Sequence, residues 1–267
     1  MNRIKIKNLE ISKLVIGGNT FSGFSHQSSK TDLEMKKYYT VQNIKKDLRK
    51  AEELGITTHL SRADAHVLRY LMEYWDEGGK IQWLAQTCPE LGDIEQVIKR
   101  AIAGGAKGCY IHGGSMDYFL EQGKMDSISG FIRLIKDAGL IAGVAGHNPK
   151  VFEWAEDNID ADFYMCSHYN PSDRGQVAQH VADCDEKFTQ EARRKMLEMI
   201  AKIERPVIHY KVLAAGRNDP EKTFEFLSKV VKPNHAICVG MFTKVKQNMI
   251  EENAKLTEKY LGNSQKI

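Results

Sequence analysis

Four histidines stand where short apolar runs end: His112 in CYIHGG, His147 in GVAGHNP, His168 in FYMCSHYNP and His209 in PVIHYKVLAAGR. Imidazole titrates near neutral pH and ligates transition metals, so histidines brought to one place could move protons or hold an ion. His112, His147 and His168 make the candidate metal trio; a divalent ion held there, with an open position, could polarise a hydroxy-ketone or activate water. His112 and His168 are also candidate bases. His209 lies inside its run, beside Tyr210 and Lys211, where alternate residues face opposite sides, and it reads as packing, as does His59.

Lys211 is the other chemically informative residue. A lysine within an apolar strand carries a desolvation cost, so it needs a partner or a chemical role, as Schiff-base nucleophile, proton carrier or anion holder. Arg217, six residues on, could help it grip a carboxylate, phosphate or polyol oxygen. Arg62 and Asp64 in LSRAD are candidate substrate contacts or a rim ion pair, and His147, like Arg217, is a further candidate for binding substrate.

These residues need a scaffold that gathers them, and the sequence supplies one. Eight apolar runs read as strands: Leu14–Gly18, Thr57–Leu60, Ile81–Gln86, Gly108–His112, Leu140–Ala145, Phe163–Cys166, Pro206–Leu213 and Ala236–Gly240. They are nearly continuous in apolarity, as strands buried on both faces are, and amphipathic helical segments separate them. The first such segment places Ile44, Leu48, Ala51 and Leu54 at spacings of three and four and stops at Gly55. Pro149 and Pro220 sit where a first helical turn tolerates proline. Strict alternation over 267 residues predicts one (β/α)8 TIM barrel, with an open doubly wound sheet second. In such a barrel the C-terminal strand ends share one rim, where the histidines would converge.

Two long polar connections, residues 22–40 and 170–188, follow the first and sixth strands and could cover substrate. Leu68, Leu71, Met72 and Trp75 have the spacing of a helix face turned to the core. A net charge of +3 with dispersed lysines argues against nucleic-acid binding. Five widely spaced cysteines without a C-x-x-C pair, no cleavable leader and no membrane-length apolar stretch predict a cytoplasmic chain with reduced thiols and a small-molecule substrate.

Six phrases in order, ISKLVIGGNTFSG, AEELGITTHLSRAD, YIHGG, GVAGHNP, DFYMCSHYNP and VGMFTKVKQNMIEEN, resemble a divergent aldo-keto reductase. The resemblance implies the same barrel and an ancestral nicotinamide site. It also implies an Asp, Tyr, Lys, His tetrad, of which only His112 matches. Ser61 stands where the Asp is expected, His66 near the place of the Tyr, and Gln86 or Thr87 at that of the Lys. On the cofactor side it points to Tyr210 as the ring on nicotinamide, Lys244 and Lys246 as phosphate contacts and Asn253 at the adenine, with Cys166 where a Gln is usual.

Three functional expectations follow. The first is acid/base chemistry, metal-assisted or not, on a small polar, sugar-derived carbonyl or hydroxyl compound, with His112 and His168 as base or ligand and Lys211 holding an oxyanion. The second is an NAD(P)H-dependent oxidoreductase, with NADP as cofactor, in which His66 and His112 replace the usual acid pair. The third is a catalytically inactive barrel kept for binding.

Overall fold

Every apolar run named above is a strand of one closed barrel. In the computed structural model, which describes residues 1–172, 177–179, 183 and 186–262, these are Leu14–Gly17 (β3), Thr58–Arg62 (β4), Gln82–Gln86 (β5) and Gly108–Ile111 (β6), followed by Ile141–Gly146 (β7), Phe163–Ser167 (β8), Val207–Tyr210 (β9) and Ala236–Gly240 (β10). Each pairs in parallel with its neighbours in sequence, and β10 closes the ring by pairing with both β9 and β3. The (β/α)8 barrel expected from the alternation is therefore the fold, and the open sheet is not.

The pleat divides each strand between two cores. Val15, Leu60, Leu84, Tyr110, Ala145, Met165, Ile208 and Cys238 fill the barrel's interior. Their neighbours Ile16, Ala85, Cys109, Val144, Cys166 and Val239 face outward into the layer of helices. Ile4, Ile6 and Ile11 join the interior cluster from a hairpin, Arg3–Ile6 (β1) with Leu9–Ser12 (β2), that sequence periodicity did not reveal. The hairpin plugs the mouth where the strands begin, which leaves the other mouth for a site.

Several boundaries differ from expectation. The connection at 22–40 contains a helix, Ser29–Tyr38 (α1), whose cap is Ser28; its sequence reads as a loop because the helix buries only Asp32 and Met35. In Ala65–Asp76 (α3) the buried face is Val67, Tyr70, Leu71 and Tyr74, whereas Met72 is exposed. The face is set by Asp64, whose carboxylate caps the helix at the Val67 N–H and so fixes its entry. Strand β9 ends at Tyr210 rather than Leu213, because Lys211 turns into the left-handed region at φ 55°, followed by Ala214 and Ala215 at 49° and 54°. Such conformations cost non-glycine residues about 1 kcal/mol or more each and persist where surrounding contacts hold them. His112 caps a helix of its own, Gly113–Glu121 (α5), before a second helix, Ile128–Asp137 (α6), leads to β7. Pro149 and Pro220 open helices Pro149–Asn158 (α7) and Pro220–Leu227 (α9), as their missing N–H groups allow.

Of the second long connection, residues 173–176, 180–182 and 184–185, including Cys184 and Asp185, lie outside the described residues. Among the described residues no helix is long and apolar enough to cross a membrane.

Candidate active site

The open mouth of the barrel holds a cavity of about 850 Å³. Its wall includes His112, His147 and Tyr210 at the strand ends, with Lys211, Arg62 and Gln86 beside them and Asn253 at the far side. Parity explains the selection. His112 and His147 are in phase with Tyr110 and Ala145, which face inward, and Tyr210 is in phase with Ile208.

His168 is in phase with Cys166 and lies outside the wall. Its Nε2 is 2.9 Å from His209 Nδ1, and His209 Nε2 is 3.0 Å from His235 Nδ1, a buried row of three imidazoles between barrel and helices. Burial pushes all three towards the neutral form, His168 well down, His209 to about 3 and His235 to about 2. His168 is therefore neither base nor ligand in the cavity, and the trio His112, His147, His168 is not assembled. Among the described residues no group of three or more His, Cys, Asp or Glu is disposed to hold a metal. Cys166 faces the helices too, and burial raises its thiol pKa well above the usual value.

The most organised chemistry starts one helical turn into α5. Asp117, 4% exposed, accepts the backbone N–H groups of His147 and Asn148, each at 3.1 Å, and lies 2.7 Å from His147 Nδ1. On the ring's other side Nε2 is 3.1 Å from the Tyr210 hydroxyl. A carboxylate at Nδ1 fixes the proton there, so Nε2 is the acceptor and the phenol donates to it. This Asp–His–Tyr hydrogen-bond chain runs from the cavity wall to a buried carboxylate. Tyr210 meets the His147 ring edge-on, at 69° and 5.5 Å between centroids.

Gly113 makes this arrangement sterically feasible, because a Cβ there would lie 2.8 Å from the Tyr210 hydroxyl and 3.1 Å from His147 Cε1. Gly113→Ala is expected to lower stability by about 1–3 kcal/mol through overpacking. Urea unfolding measures this, and an unchanged midpoint would mean that the hydroxyl moves aside freely.

The remaining candidates divide sharply. His112 sits on the wall, its N–H donating to Thr87 Oγ1 at 2.9 Å. Lys211 Nζ is 2.9 Å from His26 Nε2, and His26 Nδ1 is 2.8 Å from Glu186 Oε1, a link that joins both long connections beside the cavity. Tyr110 donates to Gln86 Oε1 at 2.7 Å, which fixes the orientation of the Gln86 amide on the wall. Arg62 lines the cavity but is engaged by Asp64 at 2.8 Å and by Glu90, and stacks 4.9 Å over Phe24. Asp64 serves that ion pair and the α3 cap.

His66 is not on the wall: its ring packs on Tyr70, and its Nε2 is 3.3 Å from the Phe21 carbonyl. It cannot stand in for a missing acid from there. Arg217 is turned away as well, donating to the His26 carbonyl at 3.2 and 3.1 Å and stacking over Phe188. Lys244 is off the wall, 3.5 Å from Glu34, while Lys246 is on it and paired with Glu252 at 2.6 Å. Asn253, in the last helix, Met249–Leu261 (α10), donates from Nδ2 to Met249 O, and its buried Oδ1 has no hydrogen-bond partner among the described residues.

Sequence reasoning missed Asp117, His26, Glu186 and Tyr110. Asp117 is the one with a local signal: it lies four residues after Gly113, so it shares that residue's helix face.

No protein-family model matches the chain, and no curated protein matches it either. Solved structures do. PA4992 from Pseudomonas aeruginosa, described as an aldo-keto reductase, superposes with a TM-score of 0.65 at 15% identity, covering 97% of this chain and 96% of that one. The holo form of aldo-keto reductase AKR11C1 from Bacillus halodurans gives 0.62 at 12% identity over 96% and 90%. A dihydropteroate synthase from Vibrio fischeri gives 0.52 at 9% identity over the full length of both chains. The chain thus has the TIM-barrel architecture found in aldo-keto reductases, and at these identities the likeness is one of fold.

Proposed function

We propose that this barrel is an enzyme that moves protons on a small polar carbonyl or hydroxyl compound of sugar-like character. The observation that carries the reading is the hydrogen-bonded chain Asp117–His147–Tyr210, which ends on the cavity wall. Tyr210 exchanges a proton with substrate while His147 takes or returns the phenol's proton, and Asp117 stabilises the imidazolium so formed. A phenol alone is a poor base at neutral pH; coupling it to an imidazole brings the exchange into range. Lys211 supplies positive charge to an oxygen that becomes an alkoxide or enolate, and the Gln86 amide, fixed by Tyr110, supplies a hydrogen bond.

The test is deuterium wash-in. Dihydroxyacetone and glyceraldehyde incubated with the protein in D₂O should lose their α-proton signals in NMR faster than in buffer with heat-unfolded protein. If they and a panel of tetrose and pentose ketoses exchange at the buffer rate, the reading falls.

One observation favours a second reading, an oxidoreductase dependent on a nicotinamide dinucleotide. The buried Oδ1 of Asn253 lacks a donor among the described residues, on the far wall of a cavity larger than a triose requires, and an adenine amino group could supply one. Asn253 and Lys246 would hold such a cofactor, which would supply hydride transfer, and Tyr210 rather than His66 would be the proton donor. NADH and NADPH fluorescence titrations decide it: micromolar binding that Asn253→Leu weakens supports this reading, and none at millimolar cofactor removes it.

A further inference from the structure

Lys211 sits in surroundings that a positive charge alone does not require. Its backbone is in the left-handed region, and so is that of His26, whose Nε2 lies 2.9 Å from the lysine amine. His26 is backed at Nδ1 by Glu186, a carboxylate only 4% exposed, and its carbonyl is gripped by Arg217. With a carboxylate at Nδ1, the imidazole keeps its proton there and turns the Nε2 lone pair to the amine. Residues from three distant segments, two of them in costly backbone conformations, thus place a base on one amine at the cavity wall. A lysine becomes a nucleophile when a neighbouring base takes its proton.

We propose that Lys211 is a Schiff-base lysine that takes a small aldehyde or ketone from the cavity into a covalent imine, with His26 and Glu186 as its base. The inference rests on the acid/base reading of the cavity and goes beyond it. The ammonium gives a proton to His26 Nε2, and the freed nitrogen pair attacks the carbonyl carbon. The C=O π pair moves to oxygen, which takes a proton from Tyr210. The Tyr210 phenolate takes a proton back from the nitrogen, now a four-bonded NH₂⁺, which frees the nitrogen pair. His26 returns its proton to the hydroxyl oxygen, water leaves, and that pair closes the C=N bond. The iminium nitrogen keeps one proton, and nothing is oxidised or reduced. The iminium then accepts electrons when an α-proton is removed, which is the step that Tyr210 and His147 serve.

Trapping tests this. The native protein is incubated with dihydroxyacetone and sodium cyanoborohydride, digested and analysed by mass spectrometry. Lys211 should carry an adduct of the probe's mass less one oxygen atom, far above the level on surface lysines. Lys211→Arg keeps the charge, so its fold is checked by circular dichroism; it should lose deuterium wash-in by about 100-fold or more, and His26→Gln should slow trapping by about tenfold or more. Wash-in by the native protein without an adduct on Lys211 overturns the imine and leaves the acid/base reading standing, as does Lys211→Arg with native wash-in. Absence of both wash-in and trapping overturns both.

Discussion

The Asp117→Asn protein is expected to fold and to exchange the α-protons of dihydroxyacetone about 10²–10⁴-fold more slowly than the native protein. Asp117 accepts three hydrogen bonds, two from backbone N–H groups and one from the His147 ring. An asparagine can satisfy the backbone donors with its oxygen, but its NH₂ then faces the imidazole. That amide donates to Nδ1, so the ring proton moves to Nε2 and points at the Tyr210 hydroxyl. The hydroxyl then accepts from Nε2–H and turns its own proton to the Gly146 carbonyl, 3.3 Å away, so the phenol can no longer pass that proton inward. The carboxylate that stabilised the imidazolium is lost as well. Wash-in rates measured from pH 6 to 9 on both proteins, with thermal melts as a control for folding, check this. A variant within threefold of native would show that Tyr210 works without the chain behind it.

The second large effect is on stability. His59, His168, His209 and His235 are all buried, and burial lowers each pKa, to about 4 for His59, well down for His168, and to about 3 and 2 for the others. Positive neighbours add to this, Arg193 beside His168, Lys13 beside His209 and His235, and Lys232 beside His235. An unfolded histidine takes up its proton near pH 6.5, so from there downward the unfolded chain binds protons that the native chain refuses. The stabilisation is present above pH 6.5 and disappears as the pH falls towards the native values. At pH 5 a histidine held neutral in this way costs about 2 kcal/mol, a sizeable part of the stability of an ordinary domain, and His59, His168, His209 and His235 all pull in the same direction. The protein should therefore be acid-labile, with a Tm that drops steeply between pH 6.5 and 5. Calorimetry across that range measures it, and a Tm constant to within a few degrees would refute the neutral buried row.

The strands were legible because runs buried on both faces are continuous in apolarity and bounded by turns. The same continuity hid which face was which. Nothing in FYMCSH says whether Met165 or Cys166 lines the interior, so position along the chain groups His168 with His112 and His147, and only the phase of the pleat separates them. In sequence Tyr210 reads as a flat ring for nicotinamide, whereas its hydroxyl is turned to His147. Asp117 has the look of an ordinary polar residue of a helix, since the N–H groups it accepts come from a strand end 30 residues away. His26 and Glu186 are 160 residues apart on loops whose paths follow no periodicity.

Consecutive residues of β9 lie on opposite sides of the barrel wall, His209 in the outer imidazole row and Tyr210 at the cavity. Gaining or losing one residue within Val207–Tyr210 would put the phenol among the helices and an imidazole in the cavity, ending stability and chemistry together. An insertion scan of the chain should show its sharpest intolerance across these four positions.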